Sequence, residues 1–148
     1  MEATKSLSRQ FVVFKLENEE YGIDILRVRE IKEMVNITRV PKAAHFVKGV
    51  INLRGEVIPI VDLRKRFNLP KASNTDSTRI IIVSVDDMVV GLIVDSSSEV
   101  LEIGGDSIEE APASVGSIDQ GNIFGIGKVG QRLIILLDVA KIINNQAL

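Results

Sequence analysis

The sequence predicts an all-β protein of two related five-stranded barrels packed together, with a short helix ending each repeat. Two observations carry this. The second half repeats the first: residues 11–23 align with 80–92 at an offset of 69, residues 37–41 with 108–112 at 71, and residues 49–63 with 125–139 at 76. Offset changes confined to polar stretches are what loop insertions between matched elements produce. The apolar segments are also short, β-branched and bounded by turn residues, which favours strands over helices.

Strands are predicted near 10–16, 20–25, 30–35, 47–53 and 57–61 in the first repeat. The second repeat gives 79–85, 89–94, 99–103, 123–129 and 133–137. Residues 17–19, 53–56, 86–87 and 130–131 sit between apolar runs at hairpin spacing, with Gly, Asn or Asp able to take positive φ. Five short strands that curl into a closed barrel leave fewer bare edges than an open sheet. Asp62 and Asp138 precede apolar residues at helical spacing (Leu63 and Phe67; Val139, Ile142 and Ile143), which predicts two N-capped helices plugging the barrel ends. The polar stretch 68–78 reads as the linker between lobes at about 9–67 and 79–144, with terminal strands free to cross between lobes. The stretch 104–120 reads as a surface loop, and the whole chain, 1–148, as one domain.

Composition narrows the function. At 148 residues the chain can bury roughly 70% of its unfolded surface without a metal or disulfide. It has no cysteine, and no apolar run reaches the roughly 18 residues of a membrane span, so a cytoplasmic protein with no direct membrane insertion is expected. A net charge of -2 and 4% aromatic residues give neither the basic field nor the stacking platforms that a nucleic-acid partner requires. One histidine, His45, cannot build a triad or a multi-histidine metal site. No catalytic residue, metal or cofactor is expected. Two alternatives are a barrel that binds another ligand, such as an oligosaccharide, and a hydrolase using Asp62 and Asp138. The second is disfavoured, because Leu63-Arg64 and Val139-Ala140 replace the small hydroxyl residue and glycine that an aspartic dyad loop uses.

Arg54 stands apart. It occupies a hairpin tip where the second repeat has Gly130. It is either a solvated turn residue or a guanidinium fork that pairs with a carboxylate, for which Glu30 is the candidate.

Several stretches resemble the CheW family, the coupling proteins of bacterial chemotaxis: Phe11-Val12-Val13-Phe14, Tyr21-Gly22-Ile23-Asp24-Ile25, Arg29-Glu30-Ile31, the run from Phe46 to Gly55, Pro59 to Arg64 and Val90 to Asp95. The resemblance spans residues 9–144, and its most specific part is Gly49 to Gly55 followed by Pro59 to Leu63. It implies a non-catalytic adaptor of two SH3-like barrels, similar to the regulatory domain of the histidine kinase CheA. Such a protein binds that domain and the cytoplasmic tip of chemoreceptors within arrays. The positions matching the family's receptor groove are Val12, Ile25, Val28, Ile31 and Ser97, beside a charged pair matching Glu30 and Arg54. The apolar members of that set read equally as barrel core. Kinase contacts are implied near Val40, Gly49 and Asn52. At 148 residues there is no room for the receiver domain of a CheV-like protein or the catalytic domains of a kinase, so the coupling module alone is expected.

Overall fold

The structure is a computed structural model that describes residues 8–115 and 118–144. Its principal strands are β1 (Ser8–Leu16), β2 (Glu19–Asp24), β3 (Val28–Glu33), β4 (Val47–Leu53), β5 (Glu56–Asp62), β6 (Arg79–Val85), β7 (Met88–Val94) and β8 (Ser96–Gly104). The chain continues through β9 (Ile108–Glu109), β10 (Ser114–Val115), β11 (Ile118–Asp119), β12 (Ile123–Val129) and β13 (Arg132–Leu137). Helix α1 (Leu63–Arg66) follows β5, and α2 (Val139–Asn144) follows β13. All ten predicted strands are present. The stretch 104–120 is more structured than the expected loop: β9 pairs with β12 and β10 with β11, while Gly116 and Ser117 lie outside the described residues. The linker 68–78 carries no helix or strand.

The sheets do not follow the repeat boundaries. One runs β8-β1-β2-β13-β12-β9 and the other β3-β6-β7-β5-β4. The first takes the opening hairpin of repeat one and the last strands of repeat two; the second takes everything between. Each closes on itself. In the first, β8 turns through a single 3-10 turn into β9 at the opposite edge. In the second, the chain beyond β3 reaches β4 through a Thr38–Val50 bridge. The exchange keeps the internal symmetry, since Thr38–Val50 corresponds to Glu109–Ile126 and the parallel pair Ile60–Gly91 to Leu136–Gly22.

Why the apolar runs are unbroken follows from this layout. In β1, Phe11 and Val13 face one barrel interior, while Val12, Phe14 and Leu16 face a large core shared by both sheets. In β6, Ile80 and Ile82 fill the other barrel, and Ile81, Val83 and Val85 join the shared core. Strands buried on both faces lose the polar–apolar alternation of half-exposed ones. Phe14, Tyr21 and Phe67 stack in the shared core, with centroids 5.6 and 6.3 Å apart.

Both helices carry their predicted caps: Asp62 accepts from the Lys65 backbone N–H at 3.3 Å and Asp138 from that of Lys141 at 3.2 Å. Their apolar residues, Leu63, Val139, Ile142 and Ile143, pack into the shared core rather than plugging the barrel interiors. The cause is the strand exchange, which brings two sheet faces together and leaves apolar surface between them for the helices to cover.

Candidate functional site

The β4–β5 hairpin presents Arg54. Arg54 and Gly55 both take positive φ, 51° and 87°, as a two-residue type I′ turn requires, and Asn52 Oδ1 steadies the turn by accepting from the Gly55 N–H at 2.9 Å. In the second repeat the corresponding position is Gly130, at φ 61°. A left-handed backbone costs a side-chain-bearing residue about 1–2 kcal/mol that glycine avoids. The first repeat therefore holds an arginine where the geometry favours glycine. Its guanidinium, 73% exposed, donates to Glu30 Oε2 on β3 at 2.5 Å. That hydrogen bond holds the Glu30 carboxyl below its ordinary pKa, and the fields of Arg54, Lys32 and Arg29 act the same way against desolvation.

The same carboxylate recurs in the second repeat. Glu30 lies opposite Ile82, and its match at offset 69, Glu99, lies opposite Val13. Arg132 donates to Glu99 at 2.6 Å and to both oxygens of Glu20 at 3.0 and 2.7 Å. Its hydrogen bond also lowers the Glu20 pKa. Both repeats thus anchor this glutamate to an arginine from the facing hairpin, although sequence alignment offers only Gly130 opposite Arg54. The second arginine arrives two residues later.

The apolar candidates divide by burial. Val12 is 2% exposed inside the shared core, which leaves it no surface to offer a partner in this conformation. At this position β1 is covered on both faces. Ile25 and Val28 are half-buried against the same core, and Ile31, opposite Ile81, is 41% exposed. Ser97 is half-buried and donates its hydroxyl to the Val13 carbonyl at 3.3 Å. Val100 went unnoticed in the sequence. It is the match of Ile31 at offset 69, is 47% exposed, and stands opposite Val12 as Ile31 stands opposite Ile81. The repeat offset would have found it.

Of the positions near the implied kinase contact, Gly49 is buried at φ 153°, where an added Cβ would lie 2.1 Å from the Thr38 carbonyl oxygen. Its side-chain-free backbone lets the 34–46 segment close against β4, so it shapes this surface from beneath. Val40 is exposed and lines a cleft beside that segment. Asn52 is exposed and serves the turn that carries Arg54.

A third ionic cluster joins the sheets. Arg64 on α1, its side chain 15% exposed, donates to both Asp95 oxygens at 2.8 and 2.6 Å, to Glu17 and to the Pro70 carbonyl at 2.6 Å. Asp95 lies at the passage from β7 in one barrel to β8 in the other, and Glu17 lies in the β1–β2 turn. The match of Arg64 in repeat two is Ala140.

Asp62 and Asp138 line different clefts and each caps its own helix, which gives no carboxylate pair sharing a proton. Among the described residues, no group of three His, Asp or Glu side chains is arranged to hold a metal ion. Among the described residues, no helix is long and apolar enough to cross a membrane.

Comparison with known proteins agrees with this architecture. Residues 10–147 match the model of the CheW-like domain. The chain is 38% identical to the chemotaxis protein CheW of Klebsiella aerogenes over 144 residues, covering 97% of this chain and 87% of that one. It is 37% identical to CheW of Bacillus subtilis over 147 residues, covering 99% and 94%. The crystal structure of the scaffolding protein TtCheW from Thermoanaerobacter tengcongensis superposes with a TM-score of 0.84 at 40% identity, covering 92% of this chain and 88% of that one. The two exchanged barrels and the full-length match place this chain in the CheW family.

Proposed function

We propose that the chain is a non-catalytic chemotaxis adaptor that couples the cytoplasmic tips of chemoreceptors to the regulatory domain of the histidine kinase CheA. The observation that carries this reading is Arg54, held in a left-handed turn that favours glycine and paired with Glu30 beside exposed Ile31. An arginine that this chain holds against its backbone preference, with most of its side chain exposed, supports a contact made outside the chain. A receptor helix would lay an apolar stripe against Ile25, Val28, Ile31 and Ser97, the mode in which a helix packs its apolar face against a groove. Arg54 and Glu30 would flank it with a fixed charged pair, and Val12 supports the surface from below. The kinase domain would engage the segment carrying Val40, shaped by Gly49 and bounded by the turn that Asn52 steadies. Working in the cytoplasm, the protein would join receptor arrays through these partners.

Calorimetric titration of the chain into a purified CheA regulatory domain, and separately into a chemoreceptor cytoplasmic fragment, tests the proposal. Saturable binding to both is the expected result. Binding to neither, by a sample shown to be folded, would overturn it.

A further inference from the structure

The 37–48 segment and α1 enclose a cleft of about 400 Å3 whose lining is cationic. Arg39, Lys42, Lys48 and Lys65 line it together with His45, and no carboxylate does. Among the described residues, six cations elsewhere, Arg9, Arg29, Arg54, Arg64, Lys128 and Arg132, form ion pairs within 4.0 Å, while Lys15, Arg27, Lys32, Arg66, Lys71, Arg79 and Lys141 form none and do not share one cleft. Among the described residues, none of the four cations at this cleft forms an ion pair. This concentration occurs in a chain of net charge -2, so it reflects local arrangement rather than composition.

The second repeat serves as an internal control. The positions matching Arg39, Lys42 and Lys48 are Glu110, Ala113 and Phe124; only Lys65 has a basic match, Lys141. The barrel therefore folds without this collar, whose mutual repulsion works against the compact state. Lys42 also takes φ 65° at the rim, a left-handed backbone costly for a lysine. The cleft lining also includes the apolar side chains of Ile37, Val40, Ala44 and Val47.

We infer that this cleft docks an acidic segment of a protein partner, with an apolar side chain of that segment against Ile37, Val40, Ala44 and Val47. The inference rests on the adaptor reading, which makes the partner the CheA regulatory domain, and it adds the chemistry of recognition. Unpaired cations around a small cleft steer an acidic surface toward it and fix its register. A nucleic-acid strand fits less well, because His45 is the one ring in the lining and the chain as a whole is negative.

The test compares wild type with a Lys42→Glu/Lys48→Glu double variant, and with the neutral Lys42→Gln/Lys48→Gln pair, by titration with the CheA regulatory domain at low and high ionic strength. Wild-type affinity is expected to fall about tenfold or more as salt rises, because exposed charges are screened over roughly 10 Å at 0.1 M. The Glu pair should bind at least about tenfold more weakly at low salt, the Gln pair should fall between, and both should show a flatter salt dependence. Binding to the receptor fragment should not change, and the melting temperature should not fall, since both variants relieve repulsion within the collar. Kinase-domain binding that is indifferent to salt, or equal in all three proteins, would overturn the inference and leave the adaptor proposal standing. Wild-type protein that binds neither partner would overturn both.

Discussion

Replacing Arg64 with alanine tests how far one side chain adds to the shared core in fixing the two sheets to one another. The guanidinium makes a bidentate pair with Asp95, a bond to Glu17 and one to the Pro70 carbonyl. Breaking a fully buried pair of this kind costs about 3–5 kcal/mol, because the remaining charge is stranded. Here the Asp95 side chain is 29% exposed and keeps a backbone donor, Glu17 N–H at 2.9 Å, so water and that donor recover part of the loss. An expected cost of about 2 kcal/mol remains. For a chain of this length that lowers Tm by about 4–8 °C. Urea unfolding and a thermal melt of Arg64→Ala, Asp95→Ala and the double variant measure the coupling directly. The double variant should be destabilised by clearly less than the two single losses combined. A Tm change under about 1 °C, or strictly additive losses, would refute the assignment of Arg64 as an inter-sheet clamp.

Three further outcomes follow from the same geometry. Arg54→Glu should keep the wild-type melt while weakening receptor-fragment binding, and Arg54→Gly, which restores the residue of the second repeat, should melt no lower than wild type and also bind the receptor more weakly; circular dichroism melts and calorimetry read both. Ile31→Asp and Val12→Ala should separate surface from core: the first leaves stability nearly intact and lowers receptor binding, whereas the second costs about 2 kcal/mol in urea unfolding through lost burial and a cavity. Tyr21 is the sole tyrosine and there is no tryptophan, so ultraviolet titration reports this one phenol. Burial pushes its pKa up to about 12, with help from the carboxylates of Glu19, Asp95 and Glu17. Because the folded value is raised, its stabilising contribution is complete below about pH 10 and fades as pH rises through about 12. The loss is roughly 2–3 kcal/mol, and ionisation near pH 10 in protein that stays folded would contradict the packing.

Strand positions were legible because apolar runs bounded by turn residues report local structure. Which strands share a sheet was not: the repeat offset relates Thr38–Val50 to Glu109–Ile126, but the exchange of β3 and β8 between sheets is decided by pairings more than 45 residues apart, such as Glu33–Arg79 and Gln10–Glu102. Val12 could not be separated from exposed groove residues, because a strand buried on both faces shows no alternation to mark its sides. Arg54 was legible as a departure from the second repeat. Arg132 was hidden from that comparison, since it reaches Glu99 from two residues past the aligned Gly130. The cationic cleft gathers residues from the 37–48 segment and from α1, a juxtaposition that only the folded chain displays.

The adaptor proposal is tested most directly by asking whether one molecule holds both partners at once. Sedimentation of the chain mixed with a CheA regulatory domain and a chemoreceptor cytoplasmic fragment should yield a species containing all three, and Arg54→Glu should reduce it to the complex with the kinase domain. Mutually exclusive binding, with each partner displacing the other from wild-type protein, would contradict the proposal.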